Sequence, residues 1–123
     1  MKTIIAGSRF DQDIPALVQT GMAYVRIAAT RSGFRITEVV SGRARGFDRL
    51  GEKWAEENRI PWVGFPADWD LYGIRAGYIR TAQMGDYAEA LIALWDGVSR
   101  GTKHMIDYAT KKGLKVYVER VQL

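Results

Sequence analysis

Apolar and polar positions along this chain switch between a period near two and a period near 3.6, and the switches mark out its elements. Lys2 to Ala6 (KTIIA) is a short β-type run that ends at Gly7-Ser8-Arg9. Asp13 offers a helix cap and Pro15 a favoured first helical position; Leu17, Val18, Met22 and Val25 then recur at helical spacing until Ser32-Gly33. Ile36 to Ser41 (ITEVVS) is β-branched and predicts a second strand, which runs into Gly42-Arg43-Ala44-Arg45-Gly46. Phe47, Leu50, Trp54 and Ala55 form one helical face ending near Asn58, and Ile60 to Phe65 predicts a third strand, with Pro61 at its start or on a sheet edge.

Pro66 to Gly73 (PADWDLYG) reads as a polar-aromatic loop before a helix from about Arg75 to Gly85. Ala90 to Trp95 is continuously apolar, as expected of a strand covered on both faces of a parallel sheet. Asp96 to Gly101 is a loop, Thr102 to Lys112 a helix stopped by Gly113, and Leu114 to Glu119 the last strand. Strands that alternate with helices imply right-handed βαβ crossovers. The expected fold class is α/β: a single Rossmann-like three-layer domain over residues 1–123, with an open five-stranded parallel sheet and helices on both faces.

Composition changes this picture little. At 47% hydrophobic and 26% charged residues, the chain is ordinary for a globular domain. It has no cysteine, which excludes disulfides and thiolate metal sites, and its one histidine, His104, has no ligand partner at metal spacing, so no metal is expected. The first residues lack the apolar core of a signal peptide, and the longest apolar run, Ala90 to Trp95, is far below the ~20 residues of a membrane span. The chain is expected to be cytoplasmic, without a membrane partner. Its net charge of +4 is mild, but twelve of its eighteen basic residues are arginine, whose flat fork of donors suits phosphate oxygens.

In an open parallel sheet, ligands bind beyond the carboxyl ends of the strands where strand order reverses, so the residues just after each strand carry the chemistry. Those are Gly7, Ser8 and Arg9; Gly42, Arg43, Arg45, Gly46 and Asp48; Asp68, Trp69 and Tyr72, then Arg75 and Arg80; and Asp96, Gly97, Ser99, Arg100, Gly101 and Thr102. Gly7 and Gly42 allow close backbone approach. Gly101-Thr102 and Gly46 open helices whose free N–H groups suit an anion. Asp48 reads either as a helix-start residue or as an acceptor for a ribose hydroxyl. Trp69 and Tyr72 offer stacking surfaces for a base, whereas Trp54, Trp62 and Trp95 read as core and His104 as an exposed helix residue. Seven arginines, at positions 9, 43, 45, 49, 75, 80 and 100, gather at or beside this edge. The dinucleotide fingerprint is absent, because Gly7-Ser8-Arg9-Phe10 is not G-x-G-x-x-G, and no P-loop lysine motif occurs.

The segments GSRF (7–10), SGRARGFDRLGEKWA (41–55), FPADWDLYGIRAGYIR (65–80) and ALIALWDGVSRGTKHMI (90–106) resemble the small YpsA-related branch of the SLOG superfamily of bacteria and phages. The resemblance implies a Rossmann-like fold and a nucleotide-type ligand. It places that ligand on Gly7, Ser8 and Arg9; on Gly42, Arg45, Gly46 and Asp48; and on Gly97, Ser99, Gly101 and Thr102. Two departures stand out: Arg43 replaces a second glycine of the pattern, and Thr81 replaces a frequent asparagine. Related phosphoribohydrolases carry a catalytic glutamate three residues after the motif threonine, where this chain has Met105. A methionine can neither polarise water nor stabilise an oxocarbenium-like transition state.

The expected function is therefore recognition of a nucleotide or nucleotide-derived signal, of ADP-ribose or cyclic-nucleotide type, by a sensor or sequestering module. No cofactor is required beyond that ligand, and a homodimer or higher homo-oligomer is expected. The alternatives are a nucleotide-cleaving N-glycosidase, with Asp48 and Asp96 as candidate carboxylates, and a single-stranded nucleic-acid binder.

Overall fold

The computed structural model describes residues 1–123. Five strands, β1 (Lys2–Gly7), β2 (Glu38–Ser41), β3 (Trp62–Gly64), β4 (Ala90–Trp95) and β5 (Lys115–Arg120), pair in parallel in the order β3-β2-β1-β4-β5. The helices are α1 (Pro15–Ser32), α2 (Phe47–Glu57), the single turn α3 (Trp69–Tyr72), α4 (Ala76–Tyr87) and α5 (Arg100–Lys112).

Side-chain alternation along the strands separates two cores. Ile5, Val39, Ile92 and Leu94 point to one face and meet Met22, Val25 and Ala28 of α1 and Phe47, Leu50 and Ala55 of α2. Ile4, Ala6, Val40, Leu91 and Ala93 point to the other, against Met84 of α4 and Met105 and Ala109 of α5. The result is the expected three-layer Rossmann-like α/β architecture. The chain steps outward from β1 through β2 to β3, then returns across the sheet to β4, so strand order reverses between β1 and β4. No helix is long and apolar enough to cross a membrane.

Most differences from the sequence expectation lie at element ends. Asp13 does not cap α1: its amide donates to Asp11 Oδ1 at 2.9 Å, and Ile14 holds the cap position without a side-chain bond. Strand β2 starts at Glu38, because the Thr37 amide is taken by the Met1 carbonyl and Ile36 packs against the core instead. The stretch expected as a loop before α4 contains α3, whose first turn is capped by Asp68 accepting from the Leu71 amide at 3.0 Å. A 3-10 turn, Gly73–Arg75, joins α3 to α4. Helix α5 begins at Arg100, with Ser99 as its cap, so Gly101 and Thr102 lie inside its first turn. Trp54 and Trp62 are half-buried against the core under α1 and α2, and Trp95, expected as core, is half-buried at the end of β4.

Candidate functional site

A cleft of about 530 Å3 opens at the carboxyl ends of β1 and β4, where the strand order reverses. Four segments line it: Ala6 and Gly7 at the end of β1 with Ser8 and Arg9 after it; Ala44 before α2 and Asp48 in its first turn; Trp69, Ile74 and, from α4, Gly77, Tyr78, Arg80, Thr81 and Met84; and Asp96, Ser99 and, from α5, Arg100 to Thr102, His104 and Met105. The size lies within the usual range of small-molecule sites.

Close packing between β1 and β4 shapes the floor. A Cβ on Gly7 would fall 2.4 Å from the Leu94 carbonyl oxygen, so only glycine lets the chain leave the sheet there. The next amide, that of Ser8, donates to that same carbonyl at 3.0 Å. The Ser8 hydroxyl accepts from the Asp96 amide at 3.2 Å, tying the two loops together.

Asp48 sits at the buried end of the cleft, 5% exposed. Its Oδ2 accepts from the Ala44 amide at 3.2 Å, and Arg80 and Arg9 lie near enough to favour its charged form. Burial outweighs these influences and pushes the carboxyl up to about 6. Burial also lowers Arg80 from its usual guanidinium value, while Asp48 partly holds it up. Arg80 Nη1 donates to the Gly42 carbonyl at 2.9 Å, which fixes the guanidinium at the cleft wall.

Asp96 behaves differently. Its Oδ1 accepts from the Val98 and Ser99 amides at 2.9 and 2.8 Å, and these bonds hold its carboxyl below the ordinary carboxylate value. It therefore stays ionised and folds the β4–α5 loop. Ser99 Oγ then lies 3.1 Å from Thr102 Oγ1 and caps α5 through the Thr102 amide, while the Trp95 indole N–H donates to the Ser99 carbonyl at 3.0 Å. The exposed Gly101 meets no neighbour that a Cβ would strike, leaving the first turn of α5 open to an anion.

Of the residues expected at the site, Gly7, Ser8, Arg9, Asp48, Trp69, Arg80, Asp96, Ser99, Arg100, Gly101 and Thr102 line this cleft. Eight do not: Asp68 caps α3, Arg75 lies in the 3-10 turn before α4, and six others are placed elsewhere. Gly42 lies behind Asp48, where a Cβ would stand 2.7 Å from Oδ2. Arg43 turns away to form an ion pair with the buried Glu52 and lies over the Trp62 ring. Arg45 is exposed outside the cleft. The Gly46 amide, expected to face an anion, instead donates to Gln12 Oε1 at 2.8 Å. Gly97, with φ +89°, packs against the Arg120 guanidinium. Tyr72 is exposed beyond the rim, whereas Trp69 lines it.

The sequence reading missed Ile74, Tyr78 and the role of His104, which faces the cleft instead of open solvent and stacks edge-to-face on Tyr78 at 4.7 Å. It also left Met84 unassigned, and Thr81 and Met105, noted only for what they replace, line the cleft. A signal existed: positions 77, 80, 81 and 84 and positions 101, 104 and 105 share helical faces running down from the ligand edge.

Residues 1–72 match the YspA, cpYpsA-related SLOG family. The Gene 61 protein of Mycobacterium phage D29 is 34% identical over 84 residues, covering 63% of this chain and 67% of that protein. Two crystal structures share the fold. TM1055 superposes with a TM-score of 0.66 at 18% identity, over 94% of this chain and 72% of its own. DNA processing protein A (DprA) from Streptococcus pneumoniae does so with a TM-score of 0.67 at 11% identity, over all of this chain but only 52% of its own. The family match takes in the β1 and β2 loops and stops before α4 and α5, which supply the other wall of the cleft. With more than half its length matched and its sheet built as the motifs implied, the chain belongs to the YspA, cpYpsA-related SLOG family.

Proposed function

We propose that the cleft binds a nucleotide or nucleotide-derived signal, of ADP-ribose or cyclic-nucleotide type, and that the protein acts as a sensor or sequestering module. The observation that carries this is convergence. Arg9, Arg80, Arg100 and the open first turn of α5 face one cavity, together with a buried carboxyl at Asp48. Guanidiniums and helix N–H groups suit phosphate oxygens, and a carboxylate suits sugar hydroxyls. Buried Met105 leaves the position of the related enzymes' glutamate without acid–base chemistry.

Asp48 gives a second reading some support. A carboxyl that titrates near 6 inside a cleft can donate a proton to a leaving base at neutral pH, as an N-glycosidase requires. Asp96, ionised and committed to two backbone amides, is the weaker candidate.

The test is a thermal-shift panel of nucleotides followed by chromatography of each stabilising ligand after long incubation. Stabilisation with the ligand recovered intact supports recognition. Release of a free base, abolished in Asp48→Asn, would establish the hydrolase. If no phosphate-bearing compound raises the melting temperature, both readings fail.

A further inference from the structure

One side of the cleft carries no phosphate chemistry, and its composition is unusual for a surface. Of the ten large hydrophobic side chains left exposed, five (Trp69, Leu71, Tyr72, Ile74 and Tyr78) fall within the single stretch 69–78. Three of those, Trp69, Ile74 and Tyr78, line the cleft, with Ile74 88% and Tyr78 61% exposed. Below them, Met84 and Met105 form a buried, polarisable floor. We propose that this apolar side of the cleft is a seat for a flat heteroaromatic ring, namely the base of the nucleotide inferred above, on which this assignment rests.

Three geometric features favour a flat occupant. The Trp69 ring tip lies over the Gly77 backbone, where an added Cβ would stand 3.5 Å from Cη2, so the exposed Trp69 ring is set against the cleft wall. Tyr78 meets His104 edge-to-face at 4.7 Å, and His104 in turn leans on Tyr108 at 6.5 Å. Tyr108 is itself anchored, its hydroxyl donating to Asp86 at 2.8 Å. Rings on α4 and α5 are thus backed by one another before any ligand arrives. A base facing Trp69 and Tyr78 gains stacking with little ordering cost. The imidazole of His104 adds hydrogen-bonding nitrogens at the ring's edge. Continuity with the phosphate side supports a base over other apolar occupants, since Arg80, Thr81 and Met84 share one α4 face, Tyr78 lines the same cleft one helical turn before Thr81, and Arg100 to Thr102 lie within one turn of His104 on α5. The seat also explains why the stacking role expected of Tyr72 belongs to Tyr78, which lines the cleft where Tyr72 does not.

The experiment measures calorimetric affinities of the intact chain for ADP-ribose, the four ribonucleoside 5′-monophosphates and ribose 5-phosphate. The last carries the phosphate and sugar without a base. At least one nucleotide is expected to bind tenfold or more tightly than ribose 5-phosphate. Tyr78→Ala and Trp69→Ala should each weaken that nucleotide by roughly five- to 150-fold, the range of base–aromatic stacking, and leave ribose 5-phosphate unchanged. Tyr78→Phe should retain the affinity. Bound nucleotide should also quench tryptophan emission in the wild type and not in Trp69→Phe. Because both side chains are exposed, the alanine variants should keep the wild-type circular dichroism spectrum. Equal affinity for ribose 5-phosphate and every nucleotide, indifferent to Tyr78→Ala, overturns the base seat and leaves the binding reading standing. Self-association that Tyr78→Ala abolishes, with nucleotide affinity unaltered, overturns it in favour of a second copy of the chain. Failure of all probes, ribose 5-phosphate included, overturns both.

Discussion

At the scale of single residues, Asp48 sets the character of the site. Its native carboxyl titrates near 6, well above the ordinary value of 3.8 that it regains on unfolding. The native state therefore holds a proton that the unfolded chain has released between about pH 4 and pH 6. Stability contributed by this group is full below that window, falls as pH rises through it, and is lost above it. A gap of about two pH units corresponds to about 3 kcal/mol. Asparagine keeps an acceptor for the Ala44 amide and removes the titration. Urea unfolding of wild type and Asp48→Asn from pH 4 to 8 should show the wild type losing stability through pH 6 relative to the variant. At pH 7.5 the variant should be the more stable by about 1–3 kcal/mol, the lower end reflecting charge lost beside Arg9 and Arg80. Parallel profiles would place the titration on another group. Nothing in the sequence announced this, because an acidic residue in the first turn of a helix is common and only the fold shows that it is buried.

At the scale of elements, the turn between β2 and α2 is held by a device behind the cleft. Arg43 adopts φ +64°, a conformation that suits glycine, and forms an ion pair with Glu52, which also accepts from the Ser41 hydroxyl at 2.6 Å. This explains how arginine is accommodated where the family pattern has glycine: the ion pair offsets the backbone strain. Removing Arg43 leaves the Glu52 carboxyl, 5% exposed, without its cation partner. Arg43→Ala should cost about 2 kcal/mol, less than a fully buried pair because the arginine side chain is one-third exposed. Arg43→Gly should cost roughly 1 kcal/mol less than Arg43→Ala by relieving the strain, and adding Glu52→Gln to either should recover much of the loss. Urea midpoints of the five proteins decide it; equal losses for alanine and glycine would mean the left-handed backbone carries no strain. Strand and helix identities other than the single turn α3 were legible in the hydrophobic periods, and β4 matched to the residue. Ends were not, because they are set by tertiary hydrogen bonds such as that of the Thr37 amide to Met1. Half the site was legible for the same reason: residues following a strand are marked by glycine and charge, but Tyr78 and His104 enter the cleft only through the packing of α4 on α5.

At the scale of the whole molecule, the question is whether the ligand is one nucleotide or a strand of them. The net charge of +4 is small, and Arg26, Arg31, Arg43, Lys103 and Lys112 are already engaged with carboxylates. The cleft presents Arg9, Arg80 and Arg100, a set that can neutralise about three phosphates. A strand tracked across the surface would release more counterions than that, and its affinity would fall steeply with salt, with a slope of about −0.7 per phosphate contacted. The cleft alone predicts a slope no steeper than about −2. A ten-nucleotide single strand should therefore gain little over a mononucleotide, and raising salt from 50 to 200 mM should weaken either by no more than about twentyfold. The mononucleotide should also stabilise the fold by mass action. At one hundred times its dissociation constant it contributes about 2.7 kcal/mol, or about 10 °C in melting temperature for a domain of this size. Fluorescence titrations with both ligands at three salt concentrations test the argument. A slope of −4 or steeper for the strand, or a strand preferred a hundredfold, would mean that cations outside the cleft bind phosphate and that the mononucleotide is only a fragment of the true ligand.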